Sequence, residues 1–150
     1  MKIYVVGNPL LSEDSIPLKL LPKLRKAFPR EHFEEADPNE NFIPEEGSII
    51  IDTIQGIDNV RWFDNLAVFQ TTNSVSPHDY DLGFHLLLLF KLKKIRAVRI
   101  LGIPGGMTKE KALKQVTMAL DDFFYFQIKN TNARREATEI TTTEIMPNRR

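Results

Sequence analysis

The run SIIIDTI at residues 48–54, which is rich in β-branched residues, constrains the fold more than any other part of the sequence. Isoleucine and threonine favour extended backbone, so this run predicts a strand. A second apolar run, IYVV at residues 3–6, does not alternate with polar residues. The absence of alternation predicts a strand that is covered on both faces, as in a parallel sheet. Residues 96–103 form another run of this buried type and end at a Pro-Gly-Gly turn.

Helical patterns separate these runs. Residues 16–28, 77–93 and 108–126 carry apolar side chains at helical spacing. Pro22 predicts either a kink in the first of these helices or a helix that begins at the proline. Weaker strands are expected at residues 32–36, 61–63 and 66–70. Strands followed by helices predict a three-layer α/β fold, with a mostly parallel, twisted sheet and helices on both faces, of the phosphorylase/hydrolase-like kind.

The predicted elements form one domain that covers residues 1–126 of the 150. Residues 127–150 are polar and rich in Thr, Arg and Glu. We expect this segment to be a C-terminal tail, which is either disordered or adds an edge strand at residues 139–145.

Charge and cysteine content exclude several kinds of function. Lys and Arg number 20 and are balanced by 20 Asp and Glu, so no electrostatic argument favours nucleic acid or an anionic membrane as a partner. The chain has no cysteine, which excludes disulfides, thiolate nucleophiles and Cys-based zinc sites. We expect a cytoplasmic protein, because the sequence begins directly as a strand and its longest apolar run is too short to cross a bilayer.

Two acids and one histidine are expected at the same edge of the sheet. Asp14 follows the first strand, and Asp52 ends the apolar part of the strand at residues 48–54. His78 follows the strand expected around Val68. In α/β folds, functional sites form at the carboxyl ends of the strands. His78 stands in the segment SPHDYDLG, which is typical of a helix start, and the positive end of a helix favours the neutral, ligating form of the imidazole.

Each of these residues also has a structural interpretation. Asp14 or Ser15 could cap the first helix, Asp52 could orient a loop, and His78 could be a buried histidine at a helix start. Taken together, the three side chains suit zinc, nickel, iron or manganese, and leave coordination positions open for water or a substrate. The other histidines are expected to have no such role, since His85 lies among apolar residues of a helix and His32 in a charged stretch.

Four motifs occur in order within residues 1–126: GNPLLSEDS at 7–15, IIIDT at 49–53, SPH at 76–78 and LGIP at 101–104. With these motifs the chain resembles the hydrogenase maturation endopeptidases, which process the large subunit of nickel–iron hydrogenases. The resemblance implies that Asp14, Asp52 and His78 are both the catalytic residues and the metal ligands. It also implies that the nickel arrives with the unprocessed precursor, which is the partner, and that zinc or cadmium can substitute for it.

The sequence departs from the family pattern at two places. Ser15 stands where the family usually has a glycine, and the loop at residues 37–47 is shorter than the family's helix-bearing crossover. Two other functions therefore stay open at this point. One is a non-catalytic binding module for a metalloprotein precursor, and the other is a metal-dependent hydrolase of small molecules. The sequence does not specify the client, the cleavage site or the oligomeric state.

Overall fold

A computed structural model describes residues 1–65 and 82–144, with side chains described as far as residue 134. The chain divides into two compact units, residues 1–117 and residues 118–150. Within the described ranges the elements are β1 (Lys2–Val5), α1 (Ile16–Ala27), β2 (His32–Glu35), β3 (Ile49–Ile54), β4 (Arg61–Phe63), α2 (Leu82–Lys91), β5 (Arg99–Pro104) and α3 (Lys109–Glu144).

The described strands form one sheet in the order β2-β1-β3-β5-β4. β1 pairs in parallel with β2 and with β3, and β3 pairs in parallel with β5. Among the described strands, only β4, at one edge, runs antiparallel to its neighbour. The predicted α/β fold with a mostly parallel sheet is therefore confirmed. The strand expected at residues 66–70 lies outside the described residues.

The two faces of the sheet are covered by different helices. On one face, Tyr4, Ile50 and Ile100 pack in a cluster with the α2 residues Leu82, Leu86 and Leu89. The alternate strand residues, which include Ile3, Ile49, Ile51 and Leu101, are also buried and point to the other face. Helix α1 contacts β1, β2 and β3, and its buried residues Leu20, Leu21 and Leu24 supply the cover.

Helix α1 runs through Pro22 without a break in its helical assignment. The alternative that the helix begins at Pro22 is therefore wrong. The proline lies on the exposed side of α1, where the carbonyl that loses its hydrogen-bond donor can be hydrated. A kink at this position stays a prediction.

Helix α2 ends in a turn closed by two backbone hydrogen bonds. Lys94 N donates to Leu89 O at 2.9 Å and Lys93 N donates to Phe90 O at 3.0 Å. Lys93 adopts a left-handed conformation with φ of 57°, so this helix end is a Schellman motif with lysine in the position that glycine usually takes. The strand that follows begins at Arg99 rather than residue 96, because its partner β3 begins at Ile49 and these two residues are paired.

The last helix is longer than the sequence suggests. We expected a helix over residues 108–126 followed by a polar tail, but α3 continues to Glu144 and replaces the edge strand proposed at residues 139–145. Good helix formers such as Gln127, Ala133 and Arg134 continue the helix although they add no apolar stripe. The division of the chain at residue 126 stays a prediction. No helix in the described ranges is long and apolar enough to cross a membrane.

We predict that Leu86→Ala lowers the free energy of unfolding by about 2–5 kcal/mol, since Leu86 is fully buried in the cluster between α2 and the sheet. Leu88→Ala is the matched control on the same helix, because Leu88 is 41% exposed. Its loss should stay near 0.5 kcal/mol. Urea denaturation measures both values, and equal losses would show that α2 does not bury the face described above.

Candidate functional site

The loop after β1 is closed by Asp14. Asn8 N donates one hydrogen bond to Asp14 O at 3.2 Å and another to Asp14 Oδ2 at 2.9 Å. Within the loop, Leu11 N donates to Asn8 O and Asp14 N donates to Leu11 O. These bonds hold the Asp14 side chain beside the point where the chain leaves β1, which is the carboxyl edge of the sheet.

Ser15 occupies the N-cap position of α1 but makes no side-chain capping hydrogen bond. Its hydroxyl instead donates to Ser12 O at 3.0 Å. The alternative that Ser15 caps the helix through its side chain is therefore wrong. The loop fold draws this hydroxyl backwards into the turn, away from the first N–H groups of the helix.

Asp52 lies inside β3 and does not end it. The strand continues through Thr53 to Ile54, because these residues pair with Ile103 and Pro104 of β5. The Asp52 side chain is half-buried, and its Oδ1 accepts a hydrogen bond from Thr53 N at 2.8 Å. The strand predicted at residues 48–54 is therefore confirmed, and Asp52 lies inside it, directly after the three isoleucines.

The pairing of β1 with β3 brings Asp52 level with the start of the Asp14 loop. Val5 is the register partner of Ile51, and Val6 N donates to Ile51 O at 2.9 Å. Asp52 is consequently adjacent to Val6, and the loop begins at the next residue, Gly7. This register places Asp52 beside the start of the loop that carries Asp14, and the role of the two acids as site residues stays a prediction.

The close packing around Gly102, part of the LGIP motif, is a feature of this region that sequence reasoning missed. Gly102 is the register partner of Asp52, so the neighbouring position on β5 carries no side chain. A Cβ atom at Gly102 would lie 2.8 Å from Ile54 Cγ1 and from Phe63 Cε2. A glycine inside a predicted strand is the signal that could have found it, since such glycines often mark a close approach of other groups.

His78 lies outside the described residues, together with the rest of the SPH motif. The described part of α2 begins at Leu82, which packs in the same cluster as Val6 and Ile50. Among the side chains described in residues 1–65 and 82–134, no group of at least three His, Asp or Glu could hold a metal ion. The described residues thus supply two acids of the predicted site and leave the three-ligand set a prediction.

The other two histidines have the environments that the sequence predicts. His85 is buried, its Nε2 is 2.5 Å from Phe42 O, and its ring stacks on the Phe42 ring. His32 is exposed, with its Nε2 3.6 Å from Glu34 Oε2. His32 is the first residue of β2, and His85 belongs to α2.

The opposite, amino-terminal edge of the sheet carries ion pairs and a shallow depression. Lys2 Nζ lies 2.6 Å from Glu45 Oε1 and 3.1 Å from Glu34 Oε2, and these hydrogen bonds raise the pKa of Lys2. Since lysine in an unfolded chain titrates near pH ~10.4, this contribution to stability is constant at neutral pH and is lost only in strong alkali. The depression is lined by Gly47, Ser48, Asp64, Ala97, Val98 and Arg99, so it is remote from Asp52 along β3.

We predict that Gly7→Ala lowers the free energy of unfolding by about 1–3 kcal/mol. A Cβ atom at Gly7 would lie 2.5 Å from the backbone oxygen of Asp14, so the loop would have to open. The matched control is Gly105→Ala, where the Cβ would meet the side-chain end of Gln55 at a similar distance. That flexible side chain can move aside, so the control should change stability by less than about 1 kcal/mol. Urea denaturation compares the two, and an unaffected Gly7→Ala variant would contradict the closed loop.

The sequence matches no family model and no curated protein, but the fold is similar to solved structures. An uncharacterized protein from Wolinella succinogenes is 15% identical, with 84% of this chain and 95% of that chain covered and a TM-score of 0.52. The hydrogenase maturating endopeptidase HybD from E. coli is 22% identical, with 81% and 93% covered and a TM-score of 0.51. The solution structure of an endopeptidase from Escherichia coli is 20% identical, with the same coverage and a TM-score of 0.52. At these identities the comparisons show that this chain has the fold of the two endopeptidases.

Proposed function

We propose that this chain is an endopeptidase that removes a C-terminal extension from the nickel-loaded precursor of a nickel–iron hydrogenase large subunit. Asp14, Asp52 and His78 would contact the nickel of the precursor. The observation that carries the proposal is the placement of Asp14 and Asp52 at one edge of a sheet whose fold is that of two endopeptidases.

Both carboxylates are oriented by backbone N–H groups. Asn8 N holds Asp14 Oδ2, and Thr53 N holds Asp52 Oδ1. Hydrogen bonds of this kind fix the direction of a carboxylate before a ligand arrives, so little reorganisation is needed on binding. Carboxylate oxygens with one imidazole form a donor set that suits nickel, zinc or cadmium.

The position of α2 supports the inclusion of His78. Only residues 92–98 connect α2 to β5, so α2 runs back along the sheet and its beginning lies towards the carboxyl edge. Leu82 belongs to the same buried cluster as Val6 and Ile50. His78 precedes Leu82 by four residues and lies outside the described residues, so its contribution to the site is part of the proposal.

In the proposed reaction the protein holds and orients the metal-bearing end of the precursor. Nickel held by both partners supplies a positive charge that polarises the scissile carbonyl or lowers the pKa of a water molecule. The contribution of this chain is the two acids and the histidine that hold the precursor in place. No serine or cysteine nucleophile is required, which agrees with a chain that contains no cysteine.

We predict that Asp52→Asn weakens the binding of nickel, zinc and cadmium by at least ~100-fold, as measured by calorimetric titration. It should also abolish the cleavage of a nickel-loaded precursor. The asparagine oxygen can still accept the hydrogen bond from Thr53 N, so this bond should be kept in the variant. Asp58→Asn is the matched control, because Asp58 is an exposed acid on the turn that follows β3.

Cleavage of the precursor by the Asp52→Asn variant at the wild-type rate would contradict the proposal. A different outcome is that the wild-type chain binds the loaded precursor and leaves it uncleaved. That result would replace the peptidase by a non-catalytic module that recognises the precursor. Mass spectrometry of the precursor before and after incubation separates these outcomes.

A further inference from the structure

The tip of the loop after β1 holds an apolar side chain out from the protein surface. Leu10 is 90% exposed, and no other large apolar side chain that the structure describes is as exposed. The next residue, Leu11, is 47% exposed. Single apolar residues are common on protein surfaces, so the exposure of Leu10 alone does not indicate a function. The reason to assign one comes from the loop that carries it.

Hydrogen bonds within this loop hold Leu10 in one place. Asn8 Oδ1 accepts a hydrogen bond from Leu10 N at 2.9 Å, and Asn8 O accepts one from Leu11 N at 3.2 Å. Pro9, between Asn8 and Leu10, has a φ angle that its ring fixes. A loop that is ordered before binding loses little conformational freedom when a partner binds. The leucine side chain is therefore presented by a preorganised turn.

The same loop places Leu10 close to Asp14. Asp14 N donates a hydrogen bond to Leu11 O at 3.1 Å, so residues 11–14 form a β-turn whose end Cα atoms are within ~7 Å of each other. Since consecutive Cα atoms are ~3.8 Å apart, Leu10 Cα lies within ~11 Å of Asp14 Cα. A folded domain of ~100 residues has a radius of gyration of ~13 Å. The surface of a precursor that presents its metal ion to Asp14 therefore also reaches the loop tip.

We propose that Leu10 contacts an apolar side chain of the nickel-loaded precursor, next to the segment that carries the metal, and thereby helps to select a protein substrate. This inference rests on the proposed function. Burial of an exposed apolar side chain stabilises a complex, and a leucine side chain has no atom that could bind a metal ion. Asp14 thus holds the metal ion, and Leu10 adds affinity for the polypeptide around it. A small nickel complex would contact Asp14 and leave Leu10 exposed.

Steady-state cleavage of the nickel-loaded precursor by Leu10→Ser tests this assignment. The variant should raise KM on the order of 10-fold and leave kcat unchanged, because the lost contact is equally strong in the ground state and in the transition state. Leu10→Met keeps an apolar side chain of similar volume, so its KM should stay near the wild-type value. Calorimetric titration with nickel alone should give the same affinity for Leu10→Ser and for the wild type.

The matched control is Leu92→Ser, which changes another exposed leucine, in the segment that leads from α2 to the start of β5. Its KM should equal that of the wild type. Urea denaturation shows whether each variant is folded. Leu10→Ser should unfold at the wild-type midpoint, since the side chain of Leu10 buries little surface and the hydrogen bond to Asn8 Oδ1 comes from its backbone.

A folded Leu10→Ser variant with the wild-type KM overturns the inference and leaves the proposed function in place. So does a Leu10→Met variant as impaired as Leu10→Ser, or weakened binding of nickel alone, because each result assigns the effect to the loop structure instead of an apolar contact. If the wild type binds the precursor without cleaving it, the same comparison is made with the dissociation constant. A wild type that neither binds nor cleaves the precursor overturns the proposed function, and the inference with it.

Discussion

The parallel pairing of β1 with β3 is the constraint on which the candidate site depends. Ile3, Val5, Ile49 and Ile51 are fully buried, and a slip of one residue would turn each strand's side chains to the opposite face. The register is therefore fixed by the core. Once it is fixed, Val6 N binds Ile51 O, and the Asp14 loop must begin beside Asp52. The core and the site are thus set by the same pairing.

Most of the fold follows from local sequence patterns, because buried parallel strands are continuous apolar runs. The features that sequence reasoning missed depend on contacts between distant residues. Asn8 closes the loop after β1 through its backbone N–H. That Gly102 leaves the strand position next to Asp52 without a side chain becomes clear only when the register of β3 and β5 is known. The extent of α3 was underestimated for another reason, since helix-forming residues without an apolar stripe resemble a polar tail.

The net charge of the chain is zero, so its net charge gives no overall attraction to a client. In the proposed function, selection rests instead on short-range contacts at the carboxyl edge, where a loaded precursor can offer a metal ion to oriented carboxylates. An unloaded precursor lacks this interaction, so the same residues that hold the substrate would also distinguish a nickel-loaded precursor from an unloaded one. The stability of the rest of the sheet matters because these bonds require accurate placement of both acids.

The most direct test of the central claim is anomalous diffraction from crystals of the protein soaked in cadmium. The account predicts a cadmium peak at the carboxyl edge of β1 and β3, bound by the carboxylates of Asp14 and Asp52 and by the imidazole of His78. A peak bound by other residues, or the absence of a peak at this edge, would contradict a shared metal-recognising site.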